Sequence, residues 1–313
     1  MKIYVAPLEG ITGYIFRNAF NEYFGQGVDK YFTPFLTPCE KRAIGGRERN
    51  EVAPENNLGL KLVPQVMTVS AADFFNVKLW LRDLGYEEIN INLGCPSKTV
   101  TSKGRGSGAL GDLDKLEHFL DGVFEDGDEN ISIKTRIGVN EVEEFDKIMD
   151  IYNKYPIKEL TVHPRVMKEF YKGRPHVDVF LEKLSIAKMP VCYNGDINSL
   201  EDYERIISFA GESSMLSGVM IGRGILKNPA LIRKIKGTEE FEVINKEVYA
   251  MLCKLKEDYS REFSGQTPVL YKLKEIWTYL GQGIYQDNDK LLKKLMKSKS
   301  ISEYEVYMKQ ILR

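Results

Sequence analysis

The feature that most constrains this 313-residue chain is an alternation, repeated eight times, between short β-rich runs and amphipathic stretches typical of helices. Most of the β-rich runs are continuously apolar, as expected of parallel strands that are covered on both faces. Eight such units in about 235 residues match the size of a TIM (β/α)8 barrel. The predicted strands are residues 3–6, 30–35, 60–67, 88–93, 131–136, 159–163, 190–194 and 218–221.

A doubly wound sheet is the main alternative to a barrel for an alternating chain. That architecture usually has fewer strands and carries a glycine fingerprint directly after the first one. Here the first strand is followed by Pro7-Leu-Glu-Gly10, which is not such a fingerprint, so the barrel is favoured. After about Gly237, helical periodicity replaces the strand pattern. We therefore predict an α/β fold with a barrel at residues 1–238 and a small C-terminal helical domain at residues 239–313.

Charge and composition narrow the class of protein. The formal net charge is −1, so a polyanion would have to bind at a local basic patch. No apolar run approaches membrane-spanning length, and the first residues lead directly into a strand rather than a signal peptide. The four cysteines are widely scattered, which argues against disulfides and against a zinc site. We expect a cytoplasmic protein that holds no metal.

Two segments carry clustered positive charge. The polar connection at residues 38–57 contains Lys41, Arg42, Arg47 and Arg49, and connections of this length are usually lids or binding loops. The second cluster lies in the helical tail. A lysine run there is usually a solvated helical face, and the alternative is a surface that binds a phosphate backbone. The tail lysines are Lys290, Lys293, Lys294, Lys297 and Lys299.

The predicted strand at residues 88–93 is followed by Gly94-Cys95-Pro96 and a glycine-rich, basic loop. Barrels carry their chemistry at the carboxyl ends of strands, and nearby cations can activate a thiol. A free cysteine is more often a small buried apolar residue, so the residues alone leave both roles open for Cys95. Residues 104–109 match G-x-G-x-x-A by count, but they lie too far beyond the strand to form a dinucleotide site.

Polar side chains recur at other predicted strand ends. Lys134 and Arg136 lie two residues apart in one strand, and an inward-facing lysine there would meet an anionic or electron-rich ligand. His163 ends the next strand, where a histidine is either a satisfied structural residue or a functional one. Asn194 and Asp196 end the strand after that and could hydrogen-bond a ligand, although Asn-Gly-Asp is also favourable turn chemistry.

The last predicted strand leads into Ile221-Gly-Arg-Gly224. Glycines at this point expose backbone N–H groups, and Arg223 adds a planar fork that suits a phosphate. Barrels commonly bind phosphate at the loops after their last two strands. We therefore infer a phosphate-anchored cofactor that Cys95 faces from another strand.

Taken together, these segments resemble the tRNA-dihydrouridine synthases. They occur in the order of that family and span nearly the whole barrel, and as a set they are highly specific. The helical tail is similar in kind to the family's C-terminal RNA-binding domain. The matching segments are Ala6-Pro-Leu-Glu-Gly10 with Phe16-Arg17, Pro64-Gln65, Ile91-Asn-Leu-Gly-Cys-Pro96, Ile133-Lys134 with Arg136, Val162-His-Pro-Arg165, Asn194-Gly-Asp-Ile197 and Ile221-Gly-Arg-Gly224.

The resemblance implies an FMN enzyme that reduces the C5–C6 double bond of selected tRNA uridines, with NADPH as the reductant. Hydride would pass from flavin N5 to uracil C6, and Cys95 would protonate C5 from the other face. These residues suit that reaction, because a thiol is a tunable acid and a glycine-rich loop can close over a flipped-out base. The resemblance also makes tRNA binding the favoured interpretation of the tail lysines.

The same resemblance assigns the remaining site residues by position. Asn92, Arg136 and Tyr171 would contact the target uracil or its neighbours. After Arg165 the chain departs from the family, because Val166 and Met167 stand where a threonine and a basic residue are common, so Lys168 would have to substitute as a substrate contact. Leu8 stands where methionine is common. The predicted FMN contacts are Pro7, Leu8, Glu9, Gln65, Lys134, His163, Asn194, Gly195, Asp196, Gly222 and Arg223.

Two other functions remain open. An FMN barrel of the dihydroorotate or enoate oxidoreductase type would act on a small molecule, although such an enzyme has no need of the helical tail. A non-catalytic RNA-binding protein could retain the barrel. It would keep all of its function after a Cys95→Ala substitution.

Overall fold

The computed structural model describes residues 1–38, 44–211, 213–237 and 244–313. All strand pairs in this part of the chain are parallel, and the strands form one sheet in the order β3-β2-β1-β9-β8-β7-β6-β5-β4. The strands are β1 Lys2–Val5, β2 Lys30–Phe32, β3 Leu62–Val63, β4 Gln65–Val66, β5 Ile89–Leu93, β6 Ile131–Arg136, β7 Leu160–His163, β8 Val191–Tyr193 and β9 Leu216–Ile221.

The two ends of this sheet are consecutive in the chain, because the predicted strand at residues 60–67 is divided into β3 and β4 by Pro64. Proline has no N–H to donate to a ladder, although its carbonyl still accepts from Asn90 N at 2.8 Å. Since β3 pairs with β2 and β4 pairs with β5, the sheet closes through this one interrupted strand. The prediction of a TIM barrel with a C-terminal helical region is confirmed.

The inner face of the barrel is filled by alternate side chains of its strands. A buried cluster joins Tyr4, Phe32, Val63, Cys192 and Met220, which come from β1, β2, β3, β8 and β9. The intervening residues, such as Ile3 and Val5, are equally inaccessible to solvent. Strands covered on both faces explain why the sequence shows apolar runs rather than a clear alternation.

Helices follow the strands in the expected alternation. No helix in the described ranges is both long and apolar enough to cross a membrane. The α-helices are α1 Tyr14–Phe24, α2 Gly46–Val52, α3 Ala71–Asp83, α4 Lys98–Thr101, α5 Leu113–Val123, α6 Glu144–Tyr152, α7 Val177–Leu184, α8 Leu200–Ala210, α9 Arg223–Lys227, α10 Leu231–Ile235, α11 Ile244–Glu262, α12 Gln266–Leu280, α13 Asp289–Lys297 and α14 Ile301–Ile311.

The described residues divide into two compact units. The first contains all the strands and comprises Met1–Pro7, Asp29–Asp196 and Glu204–Ile221. The second is helical and comprises Leu8–Val28, Ile197–Tyr203 and Gly222–Arg313. The predicted domain boundary between residues 238 and 239 lies outside the described residues and stays a prediction. Of the basic connection at residues 38–57, Lys41 and Arg42 also lie outside them, whereas Arg47 and Arg49 belong to α2.

Within the helical unit, α1 packs against α11, and the hydroxyl of Tyr14 donates to Glu262 at 2.8 Å. Its core includes Trp277, whose indole N–H donates to the hydroxyl of Tyr304 at 2.8 Å. All five tail lysines are exposed on or beside α13, whose Leu292 and Leu295 face inward. The helical unit therefore presents an amphipathic helix with an open basic face.

Candidate active site at the strand ends

Cys95 lies on a turn that its neighbours hold from two sides. β5 ends at Leu93, and the side-chain oxygen of Asn92 accepts the backbone N–H groups of Gly94 and Cys95 at 3.0 and 2.9 Å. The Cys95 carbonyl accepts from both the backbone N–H and the hydroxyl of Ser107, at 3.0 and 2.9 Å. The thiol is half-buried, as expected of a group that is positioned yet accessible.

The loop after Cys95 is folded into α4 and a short 3-10 helix at Gly106–Gly111. Gly106 has φ +57°, and a Cβ atom there would lie 2.7 Å from the Cys95 carbonyl oxygen. Only glycine combines this backbone conformation with so close an approach. The glycines of this loop thus serve the packing of the loop against Cys95.

Lys134 lies on the strand beside this turn, since it pairs in register with Asn92 across β5 and β6. Its amine makes no hydrogen bond or ion pair with any residue of the described ranges. Burial, and then the charge of Arg136, lower the pKa of Lys134 from 10.5 to about 8, while the thiols of Cys192 and Cys95 oppose the shift. An inward amine without a protein partner is suited to an electron-rich ligand.

Arg136, two residues farther along β6, forms hydrogen bonds with three backbone carbonyls. Its guanidinium donates to the carbonyls of Gly94 at 3.0 Å, Val166 at 3.0 Å and Phe170 at 2.6 Å. The side chain is 1% exposed, so it connects the Cys95 turn to the segment after β7. The predicted contact of Arg136 with substrate stays a prediction.

The segment after β7 carries the other two predicted substrate contacts. The Tyr171 ring is 49% exposed and stacks 5.5 Å from the Arg136 guanidinium and 6.0 Å from the His163 ring. Lys168 is exposed, and its backbone N–H donates to the carbonyl of Val139 at 3.2 Å. Phe170, between them, has φ 53°, an uncommon conformation for a residue other than glycine.

Arg165 is buried at the ends of β7 and β8, where its guanidinium contacts four other residues. Its guanidinium pairs with the Asp196 carboxylate, with contacts of 2.5 and 3.3 Å, and lies 3.0 Å from the His163 ring nitrogen. It also donates to the carbonyls of Lys172 and Gly173 at 3.2 and 2.8 Å. The predicted cofactor residues His163 and Asp196 are thus brought together by a residue that the sequence did not single out.

The remaining predicted cofactor residues follow other strand ends. Asn194 donates to the carbonyl of Met220 at 2.8 Å, and a Cβ atom at Gly195 would overlap the Tyr193 phenol. Gly222 and Arg223 come directly after β9 and open α9. Gln65 is fully buried.

The first strand is followed by Pro7, Leu8 and Glu9. The backbone N–H of Leu8 donates to the Thr12 hydroxyl at 2.7 Å, and its carbonyl accepts from the backbone N–H groups of Ile11 and Thr12, each at 3.0 Å. These bonds fold the segment after β1 into a compact turn.

Sequence reasoning singled out Asn92 but missed Glu88 and Asn90, two polar residues that lie deeper in the barrel. Glu88, Asn90 and Asn92 recur at every second position, so they share one face of β5. That alternation was visible in the sequence and could have identified the set, but the strand was interpreted as a continuous apolar run. Arg165 gave no comparable sign, since nothing in a His-Pro-Arg tripeptide indicates an internal ion pair.

Fold and site together define a (β/α)8 barrel with a positioned cysteine at a strand end and, beside it, a lysine that has no hydrogen-bond or ion-pair partner among the described residues. The family model described as "Dihydrouridine synthase (Dus)" matches residues 4–311. The chain belongs to the dihydrouridine synthase family, which is a family of oxidoreductases. The family resemblance drawn from the sequence is therefore confirmed.

Individual relatives are distant but match over most of their length. The chain is 26% identical over 312 residues to a "Probable tRNA-dihydrouridine synthase" of Staphylococcus epidermidis (strain ATCC 12228 / FDA PCI 1200), covering 96% of this chain and 90% of that protein. It is 27% identical over 311 residues to the protein of the same name from Staphylococcus aureus (strain Mu50 / ATCC 700699), covering 96% and 89%. It is 26% identical over 272 residues to a "Probable tRNA-dihydrouridine synthase 2" of Bacillus subtilis (strain 168), covering 82% and 79%.

Proposed function

We propose that this protein reduces selected uridines of tRNA to 5,6-dihydrouridine, with FMN as its cofactor and NADPH as the reductant. The observation that carries the proposal is the placement of Cys95, half-buried at the carboxyl end of β5 on a turn that Asn92 and Ser107 fix. Family membership and the names of the relatives support the reaction class and the tRNA substrate. A tRNA substrate also fits the predicted cytoplasmic location.

The residues present fit a flavin. The Lys134 amine has no hydrogen-bond or ion-pair partner in the described part of the chain. Its pKa is lowered, because burial makes the charged form of the amine unfavourable. An electron-rich edge of a flavin ring would supply the missing partner. We assign Lys134, Gln65 and His163 to the ring and the ribityl chain. Gly222 and Arg223 follow the last strand, where barrels commonly bind phosphate.

When bound, FMN supplies the hydride that uracil accepts at C6, after NADPH has reduced it. The task of the protein at the opposite carbon is to hold a proton on the Cys95 sulfur and to release it to C5. The bonds from Asn92 and Ser107 fix the Cys95 backbone, which reduces the positional freedom that a proton donor must lose before transfer. Tyr171, half-exposed and stacked on Arg136, offers a surface for the target base or its neighbour.

We assign tRNA binding to the helical region from residue 239 onward, and in particular to the exposed lysines of α13. Four of the five lysines lie on the open side of this amphipathic helix and Lys299 follows its end, so all five can neutralise phosphates without leaving a core. This role agrees with the small negative charge of the whole chain, which requires that a polyanion bind at a local patch.

The test is dihydrouridine formation by the purified protein on tRNA that lacks the modification, with each position of the product mapped. Cys95→Ala should abolish the reaction while leaving flavin absorbance and folding intact, because the thiol donates a proton and does not bind the cofactor. A protein that shows no flavin absorbance, even after incubation with FMN, would overturn the cofactor assignment. Undiminished dihydrouridine formation by Cys95→Ala would overturn the role of the thiol.

A further inference from the structure

Polar side chains of β4, β5 and β6, together with Glu88 directly before β5, form one continuous hydrogen-bonded chain along the barrel. From the Cys95 end it runs Asn92 Nδ2 to Gln65 Oε1 (2.7 Å), Gln65 Nε2 to Asn90 Oδ1 (2.8 Å), Asn90 Nδ2 to Ser132 Oγ (3.0 Å) and Ser132 Oγ to Glu88 Oε1 (2.9 Å). We call these five residues the polar ladder. It connects the carboxyl end of β5 with its amino end.

In every hydrogen bond of the ladder the donor lies nearer Cys95 and the acceptor nearer Glu88, and both ends of the ladder require this direction. At the upper end, the N–H groups of Gly94 and Cys95 require the Asn92 side chain to present its oxygen to them and hence its NH2 group to Gln65. At the lower end, the Glu88 carboxylate can only accept, so Ser132 must donate to it. Each intermediate amide can be inverted only by losing two hydrogen bonds at once.

The surroundings of the ladder make such a loss costly. Gln65 and Asn90 are 0% exposed, so no solvent can replace a lost partner. Below them, the second oxygen of Glu88 pairs with Lys30 at 2.7 Å and lies 3.6 Å from the Lys158 amine. The Glu88 carboxylate therefore accepts a hydrogen bond on each of its two oxygens, from Lys30 and from Ser132, and this acceptor role gives the ladder its direction.

We propose that Glu88 is a positioning residue for Cys95, and that it acts through Ser132, Asn90, Gln65 and Asn92. The carboxylate at the amino end of β5 orients each amide in turn, and the last one, Asn92, presents its oxygen to the turn that carries the thiol. The role in dihydrouridine formation rests on the proposed function, whereas the effect on the position of Cys95 does not.

The experiment measures alkylation of Cys95 by iodoacetamide in the folded protein, followed peptide by peptide by mass spectrometry. Glu88→Gln keeps the volume of the side chain, but Lys30 turns the new amide so that its NH2 group faces Ser132. The Ser132 hydroxyl then no longer has to donate to residue 88, so this end ceases to specify the direction of the ladder. Ser132→Ala breaks the ladder between Asn90 and Glu88. We expect each variant to alkylate Cys95 about three- to tenfold faster, because one or two hydrogen bonds that hold the turn are weakened.

The double variant separates a connected ladder from two local effects. If Glu88 acts through Ser132, then Glu88→Gln adds nothing once Ser132→Ala is present, and the double variant matches the single one. Effects that multiply would overturn the proposal, as would wild-type alkylation rates in both single variants. Should Glu88→Gln fail to fold, as judged by thermal unfolding, an unchanged rate in Ser132→Ala alone would still refute it.

Two controls are present in the chain itself. Glu159 shares the base of the barrel and lies 3.9 Å from the Lys30 amine, but it accepts hydrogen bonds from Tyr4 and Ser217, at 2.9 and 2.7 Å, and not from a residue of the ladder. Glu159→Gln should therefore lower stability without changing the Cys95 rate, and an equal acceleration in this variant would contradict the proposal. Cys253, half-buried in α11, is the internal reference, and its rate should be constant throughout.

Alkylation needs neither flavin nor tRNA, so this inference and the proposed function can fail separately. If Cys95→Ala still forms dihydrouridine while the alkylation rates change as expected, the proposed role of the thiol is refuted and the positioning role of Glu88 is supported. If the substitutions in the ladder leave the alkylation rate of Cys95 unchanged while Cys95→Ala forms no dihydrouridine, only the positioning role of Glu88 is refuted. Where both hold, Glu88→Gln should lower the single-turnover rate of dihydrouridine formation severalfold with the affinity for tRNA unchanged.

Discussion

Lys134→Met should stabilise the flavin-free protein at neutral pH. In the folded chain the pKa of Lys134 is lowered from 10.5 to about 8, chiefly by burial and then by the charge of Arg136. That difference means that burying the charged amine costs about 3 kcal/mol of folding free energy. We take about 2 kcal/mol as the cost, because the side chain is only half-buried. Methionine has nearly the same length and carries no charge, so it removes the cost without leaving a cavity.

The sign of the pH dependence follows from the same pKa difference. Below pH 8 the folded and the unfolded chain both hold the proton on Lys134, so the full cost of burying the charge applies. Between pH 8 and 10.5 the folded chain releases the proton while the unfolded chain keeps it, so the wild type gains stability as the pH rises. The variant lacks this gain, and its advantage should shrink by about 2 kcal/mol across that window.

The assay is urea unfolding of flavin-free wild type and Lys134→Met at pH 7, 8, 9 and 10. Only the difference between the two proteins is interpreted, because buried tyrosines such as Tyr4 and Tyr152, whose pKa values burial raises, also affect stability at high pH. A constant difference from pH 7 to 10, or a variant less stable than the wild type at pH 7, would refute the reasoning. The same variant should lose most of its affinity for FMN, since it removes the amine assigned to the ring.

Three further outcomes follow. Gly106→Ala should lower dihydrouridine formation tenfold or more, because the new methyl group would lie 2.7 Å from the Cys95 carbonyl oxygen, whereas Gly104→Ala, at φ +66° but in open space, should cost stability alone. Lys293→Glu with Lys297→Glu should weaken tRNA binding and reduce the slope of log Kd against log salt by about 1 per lysine, with FMN binding unchanged. Phe170→Gly should raise the free energy of unfolding by about 1 kcal/mol through relief of its φ of 53°, and a less stable variant would show that the Phe170 ring does more than its backbone suggests.

The barrel was predictable from the sequence because its strands are covered on both faces and are therefore continuously apolar. The same property hid the interruption of the third strand, since Pro64 does not change the apolar pattern and acts only through its missing N–H. The strand-end rule also drew attention to Cys95, Lys134 and His163, which lie at or near the carboxyl ends of β5, β6 and β7, and their roles stay predictions.

The partners of the charged residues could not be predicted, because they are contacts between segments far apart in the chain. Arg136 and Arg165 bind backbone carbonyls, and every residue of any type carries such a group. Sequence therefore gives no sign that these guanidinium groups are already satisfied. The polar ladder is an intermediate case, since the alternation of Glu88, Asn90 and Asn92 shows its inner face but not its direction.

Lys134 and Arg136 of β6 and Arg165 just after β7 are of two chemical kinds. An arginine is charged at every accessible pH, so a buried one must be satisfied by the protein itself, as Arg136 and Arg165 are. A lysine can release its proton when it is isolated, which limits the cost of leaving it without a partner, and Lys134 with its pKa of about 8 is in that state. If the proposed flavin occupies this site, lysine at residue 134 makes the flavin-free state less costly than an arginine there would.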